Sequence, residues 1–204
     1  MAAAIDWWAV ATGRRKVEVV WKPLTMALLV VVAAVAGPAP ADVRWLVVGA
    51  AIFGVLGDAA LLGEGTTWFI RGLLAFAMGH ALYAAAAVVV GVGATAWWGV
   101  LFVTGLFAWR FLPSVVPAAR QSGGRAMTTA VLFYAGIIAA MVVTAIGTGR
   151  WLAIVGAALF AVSDWVLGQR QFLGPDTFNR LAVMVPYHVG QTMLILGLVG
   201  VSVG

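Results

Sequence analysis

Asp58 and Asp164 lie inside long apolar stretches of the chain. A carboxylate within a membrane span costs several kcal/mol unless it is paired, hydrated or protonated, so each marks a candidate site. Both are expected about one turn from the same end of their helices, and the other five acids in loops or near segment ends. His80 and His188 are the only histidines. His80 shares a helix face with Tyr83, three residues on; His188 and Tyr187 stand three and four residues before Gln191. Pro186 interrupts the last helix just before that cluster, and a kink there would free carbonyls beside the polar side chains. These seven residues are expected to converge on one cavity. Two carboxylates in such a pocket do not both ionise cheaply; one keeps its proton while the other is charged, which suits general acid and general base chemistry. The Asp/His spacing matches no known metal signature, and without cysteine there is no thiolate ligand, thiol nucleophile or disulfide. No metal and no cofactor is expected.

The elements that hold these residues follow from composition. Of 204 residues 64% are apolar and 9% charged, against roughly a quarter charged in a soluble domain. Mean hydropathy is +1.06. This excludes a soluble enzyme and predicts an all-α polytopic membrane bundle forming one domain over 1–204. Seven full spans are read at about 23–37, 45–63, 68–90, 94–112, 126–147, 151–168 and 178–203, the first allowed to begin near Val17. The stretch Ala2–Ala11 is too short to cross and is read as a short N-terminal helix, a half-span or the tail of a truncated eighth helix. It does not have the order of charges of a signal peptide.

Loop charges give an orientation. Arg14, Arg15, Lys16, Lys22, Arg71, Arg110, Arg120, Arg125, Arg170 and Arg180 fall on one side, Arg44 and Arg150 on the other. Ten against two places the first side in the cytoplasm, the C-terminus outside and the site in the cytoplasmic half. The net charge of +5 is thereby a topology signal, and no nucleic-acid partner is expected. Trp21, Trp45, Trp68, Trp97, Trp98 and Trp151 sit at span ends, as an aromatic belt requires. An Arg-, Ala- and Val-rich composition points to a GC-rich bacterial genome, hence a bacterial inner membrane. Arg120–Arg125 reads as a polar cytoplasmic loop, and glycines such as Gly93 and Gly99 as sites of close helix packing.

The chain also echoes itself. Gly49-Ala50-Ala51-Ile52-Phe53 leads to Gly57-Asp58, and Gly156-Ala157-Ala158-Leu159-Phe160 leads to Ser163-Asp164. Arg71 precedes His80 by nine residues and Arg180 precedes His188 by eight. Both copies run in the same direction, which predicts a parallel internal repeat with halves about 1–112 and 113–204.

Five segments together resemble the YhhN-like lysoplasmalogenases: Lys22-Pro23-Leu24, Gly57-Asp58-Ala59-Ala60-Leu61, Met78-Gly79-His80-Ala81-Leu82-Tyr83, Ser163-Asp164-Trp165-Val166-Leu167 and Tyr187-His188-Val189-Gly190-Gln191. The resemblance runs from about residue 15 to the end. It implies an eight-helix membrane hydrolase that cleaves the vinyl ether bond of lysoplasmalogen-type lipids to a fatty aldehyde and a glycerophospho-headgroup. Asp58 and Asp164 match the family's two aspartates and would carry the chemistry. Lys22, His80, Tyr83, Tyr187, His188 and Gln191 would support them or bind substrate, with Lys22 facing the phosphate. The expected partners are the lysophospholipid or ether lipid and the bilayer. Intramembrane Asp and His suit a proton-coupled small-molecule or lipid transporter equally well. An intramembrane aspartyl protease is disfavoured, because Val55 stands where a Gly-x-Gly-Asp motif needs glycine.

Overall fold

A computed structural model describes residues 1–201, all of the regular structure being helical. The helices are α1 (Ala2–Ala11), α2 (Arg15–Val35), α3 (Ala41–Leu61), α4 (Thr66–Val90), α5 (Ala96–Leu106), α6 (Leu112–Gly147), α7 (Trp151–Leu173) and α8 (Leu181–Leu198). A π-helical turn, Phe107–Phe111, joins α5 to α6. Among the described residues, six continuous helical runs are long and apolar enough to span a membrane, and Ala2–Ala11 is a shorter apolar helix. The protein is therefore a multi-pass membrane protein.

Six runs replace the seven expected spans because 94–112 and 126–147 belong to one run, Ala96–Gly147, of 52 residues. Straight, it would be about 78 Å long, far more than a hydrocarbon core of about 30 Å. It instead folds back: the Gly93 amide donates to the Gly147 carbonyl at 2.9 Å, so the two ends meet. The reversal falls at Gly123 and Gly124, whose backbone is non-helical, Gly124 at φ 63°. A glycine adopts that left-handed conformation without a Cβ penalty. The polar loop expected over Arg120–Arg125 is thus a two-residue break in helical chain. Gly99 sits at the crossing, where an added Cβ would lie 2.9 Å from the Val143 Cα.

Other boundaries also shift. α2 begins at Arg15 and carries Pro23 in its interior. α7 continues past residue 168 to Leu173, which leaves Asp164 nine residues from the helix end instead of one turn. α8 begins at Leu181, after a turn over the residues before it, and the expected end at 203 lies outside the described residues. Of the acids expected in loops or near ends, Asp6 and Glu18 are fully or almost fully buried.

The two most extensive helix pairs are α3 with α4 and α7 with α8. Small residues let them close: a Cβ on Gly156 would stand 2.3 Å from the Leu194 amide nitrogen. α1 packs on α2 and α8. At the end opposite the basic cluster, Arg44 donates to the carbonyls of Ala33, Ala34, Ala36, Gly37 and Ala39, and Arg150 to those of Gly197 and Leu198. Each guanidinium satisfies carbonyls that a helix C-terminus leaves without donors. Trp45, Trp97, Trp98 and Trp151 are exposed on the outer surface, as are many Val and Leu side chains.

Candidate functional site

Two carboxylate centres lie inside the bundle. In the first, Asp58 of α3 is 1% exposed and stands between two other helices. The Lys22 ammonium of α2 is 3.6 Å from Asp58 Oδ1, and the Tyr187 hydroxyl of α8 donates to Oδ2 at 3.0 Å. Gly54, one turn before Asp58, leaves room for this convergence, since a Cβ there would meet Met26 at 2.7 Å and the Gln191 side chain at 3.5 Å. A buried ion pair needs such added hydrogen bonds to offset its desolvation.

In the second centre the Tyr134 hydroxyl of α6 donates to Asp164 Oδ2 of α7 at 2.7 Å. His80 Nε2 of α4 lies 3.3 Å from the Tyr134 oxygen and 3.4 Å from Asp164 Oδ2. Tyr134 spends its single proton on the carboxylate, so the imidazole N–H points at the phenol oxygen and the carboxylate together.

The remaining expected residues form two further pairs. The Tyr83 hydroxyl donates to Gln191 Oε1 at 2.7 Å. The Trp7 indole donates to His188 Nδ1 at 3.0 Å. That bond leaves the ring's own proton on Nε2, a buried atom with no hydrogen-bond partner among the described residues. Ser163 Oγ donates to the Val183 carbonyl one turn before Pro186.

The expected single polar cavity is therefore divided. Phe76, Phe160 and Tyr187 pack edge to face with centroids 5.5–6.5 Å apart, and His80 stands 4.4 Å from the Phe160 ring. This aromatic layer joins the two centres by packing. A partly open apolar cavity of about 80 Å³ lies among α4, α6, α7 and the π-helical turn. Asp164 and Tyr134 line it; Asp58 does not. Phe107 and Phe111 of the π turn supply part of its wall. The widened turn fits the sequence, because Pro113 has no N–H for the Trp109 carbonyl and its ring would crowd that group.

A second, polar recess of about 340 Å³ opens at the basic end. Lys22 borders it, with Arg15, Glu18, Arg170 and Arg180. Glu18 is buried and pairs with Arg180 and with Arg15, the latter at 3.6 Å. Phe69 and Leu167 form a wall common to this recess and the apolar cavity.

Tyr134, Asp6, Trp7 and Glu18 were absent from the expected set. Tyr134 had a signal: the chain has three tyrosines, and all three hydrogen-bond in the bundle interior. Asp6 is 0% exposed, with neither carboxylate oxygen partnered among the described residues. Its burial depends on α1 docking, which a short apolar segment does not announce.

Taken together, these features define a multi-pass helical membrane protein with carboxylate centres enclosed in the bundle. The chain belongs to the YhhN family, whose pattern matches residues 17–198. It is 28% identical over 152 residues to lysoplasmalogenase TMEM86A of Bos taurus and 26% identical over 152 residues to lysoplasmalogenase TMEM86A of Homo sapiens. Each match covers 72% of this chain and 62% of the relative, so less than two thirds of the relatives' own length is spanned. No solved structure matches the chain.

Proposed function

We propose that this protein is a membrane hydrolase that cleaves the vinyl ether bond of a lysoplasmalogen-type lipid. The observation that carries the reading is Asp164, held by Tyr134 at 2.7 Å on the wall of an otherwise apolar cavity. The distant similarity to lysoplasmalogenases supports it. An alkenyl chain in that cavity brings its double bond to the carboxyl. Tyr134 occupies Oδ2, which leaves Oδ1 to carry the proton. Asp164 gives that proton to the vinyl carbon remote from oxygen, and the electron pair of the double bond forms the new C–H bond. The resulting oxocarbenium ion takes water at the carbon attached to oxygen, and the water's proton returns to the Asp164 carboxylate. The hemiacetal then breaks its bond to the glycerol oxygen, releasing an aldehyde and a free glycerol hydroxyl.

Asp58 has a different part. Its charge balanced by Lys22, it accepts the Tyr187 hydroxyl and so fixes the Tyr187 ring against Phe76 and Phe160, the aromatic layer on which His80 also packs. The two aspartates descend, in this reading, from a duplicated helix pair, α3/α4 and α7/α8, whose environments have diverged. The basic end faces the cytoplasm, which opens the site to the inner leaflet. The packed layer of Phe76, Phe160 and Tyr187 between the two centres weighs against a transport path through both carboxylates.

The test is aldehyde release from a lysoplasmalogen by the purified protein. Asp164→Asn is expected to abolish release while the helical content and thermal transition persist; Asp58→Asn is expected to abolish release with a lowered thermal transition, because it strands the buried Lys22 charge. Turnover retained in Asp164→Asn overturns the mechanism, and proton flux into liposomes without lipid cleavage would establish the transporter instead.

A further inference from the structure

The recess at the basic end holds four cationic side chains, Arg15, Lys22, Arg170 and Arg180, against one carboxylate, Glu18. Lys22 is committed to Asp58 and Arg180 to Glu18. Lys22 borders the recess, but its charge is already balanced by Asp58 inside the bundle. Arg15 and Arg170 are placed differently. Arg15 donates to the Leu62 carbonyl at 2.7 Å, and Arg170 donates to the Phe178 carbonyl. Each bond uses part of a guanidinium with five N–H donors and orients the rest of the fork without neutralising its charge. No carboxylate pairs with Arg170 among the described residues, and Arg15 shares Glu18 with Arg180.

The recess thus carries positive charge in excess of its single carboxylate, presented by planar forks that match the oxygens of a phosphate. Gly65 and Thr66, at the N-terminus of α4, border the same space, and no side chain caps that helix. Its free backbone N–H groups add to the same preference for an anion. Through Phe69 and Leu167 the recess adjoins the apolar cavity, so a charged pocket and an apolar one lie on either side of one wall.

We infer that Arg15 and Arg170 bind the phosphate of a single-chain phospholipid whose hydrocarbon chain enters the apolar cavity beside Asp164 with its headgroup-proximal end. The inference rests on the hydrolase reading for the identity of the lipid as substrate, but phosphate binding is separable from cleavage. The same chemistry would hold free inorganic phosphate, and the experiment tells the two apart.

Binding is measured on the purified full chain in detergent with three probes: a saturated alkyl-ether lysophosphatidylethanolamine, which has no vinyl bond to cleave; a 1-O-alkylglycerol of equal chain length; and inorganic phosphate. The phospholipid is expected to bind roughly tenfold or more tightly than the alkylglycerol. Arg15→Gln with Arg170→Gln is expected to remove that advantage and leave alkylglycerol binding unchanged, and the double Lys variant to restore part of it. Equal wild-type affinity for the two lipids overturns the inference, as does equal loss of both in the double Gln variant. Inorganic phosphate binding as tightly as the phospholipid also overturns it, in favour of a free-phosphate site. Discrimination between the two lipids without aldehyde release from a vinyl-ether lipid would sustain the phosphate site and sink the hydrolase reading alone.

Discussion

His80 Nε2 lies 3.4 Å from Asp164 Oδ2, which joins the histidine of the α3/α4 pair to the aspartate of the α7/α8 pair. The reverse contact exists as well: Tyr187 of α8 donates to Asp58 of α3. Each helix pair supplies the polar partner of the other's carboxylate, so neither centre can form within one pair. His80 is outside the cavity lining, so in the proposed hydrolase it would act on Asp164 as a positioning residue. His80→Phe is expected to lower kcat for aldehyde release by roughly tenfold with KM little changed, the loss of one hydrogen bond to the carboxylate that forms as Asp164 gives up its proton. Steady-state kinetics over a lysoplasmalogen concentration series reads the split; a rise in KM alone would assign His80 to substrate binding.

Tyr134 is the nearer partner of Asp164 and itself lines the cavity. Removing its hydroxyl leaves Oδ2 without its shortest hydrogen bond in a low-dielectric site. Tyr134→Phe is expected to reduce kcat by about 10- to 100-fold, corresponding to about 1.5–3 kcal/mol for a bond that becomes charge-assisted once Asp164 has given up its proton. The aromatic ring stays, so the thermal transition should move little. A variant as active as the wild type would mean that Asp164 needs no orientation by Tyr134.

Lys22 and Asp58 are both buried at 3.6 Å, so deleting one partner strands the other. Lys22→Met is expected to destabilise the protein by about 3 kcal/mol or more, because it leaves an uncompensated charge in the bundle. Lys22→Met with Asp58→Asn should recover much of that stability while restoring no aldehyde release. Thermal unfolding in detergent of the two single variants and the double variant measures the coupling. Additive effects would show that the pair does not interact.

Trp7 fastens the N-terminal helix to the last one through the His188 ring. Trp7→Phe keeps most of the packing but leaves His188 Nδ1 without its donor, at a cost of about 1–3 kcal/mol. Local detachment of α1 should follow before global unfolding. Limited trypsin digestion provides the reading: cleavage at Arg14, Arg15 or Lys16, in and after the turn at Gly13, is expected to accelerate in the variant. Unchanged cleavage would show that the hydrogen bond does not hold α1 in place.

The sequence by itself determined the solvent of this fold and its costly residues. Long apolar runs with 9% charge leave a membrane bundle as the class, and Asp58, Asp164 and the two histidines stand out because so few polar groups interrupt those runs. Local pattern also located the close helix contact at Gly99, where an added Cβ would lie 2.9 Å from the Val143 Cα; Gly93 instead lies in the loop before α5, where a Cβ would meet only the Gly147 carbonyl at 3.8 Å. Partner choice was another matter. Nothing in spacing along the chain distinguishes a histidine that meets Asp164 on another helix from one that meets Trp7 near the N-terminus, because those contacts depend on how helices rotate and cross. Tyr134, Glu18 and Asp6 were hidden for the same reason: the first lies on a helix with no other ionisable group nearby in sequence, and the other two become buried only when α1 and α8 close over α2. Tertiary packing alone decided that the two aspartates take different partners, Asp58 meeting Lys22 and Tyr187 and Asp164 meeting Tyr134 and His80, and that of the two Asp164 lines the cavity.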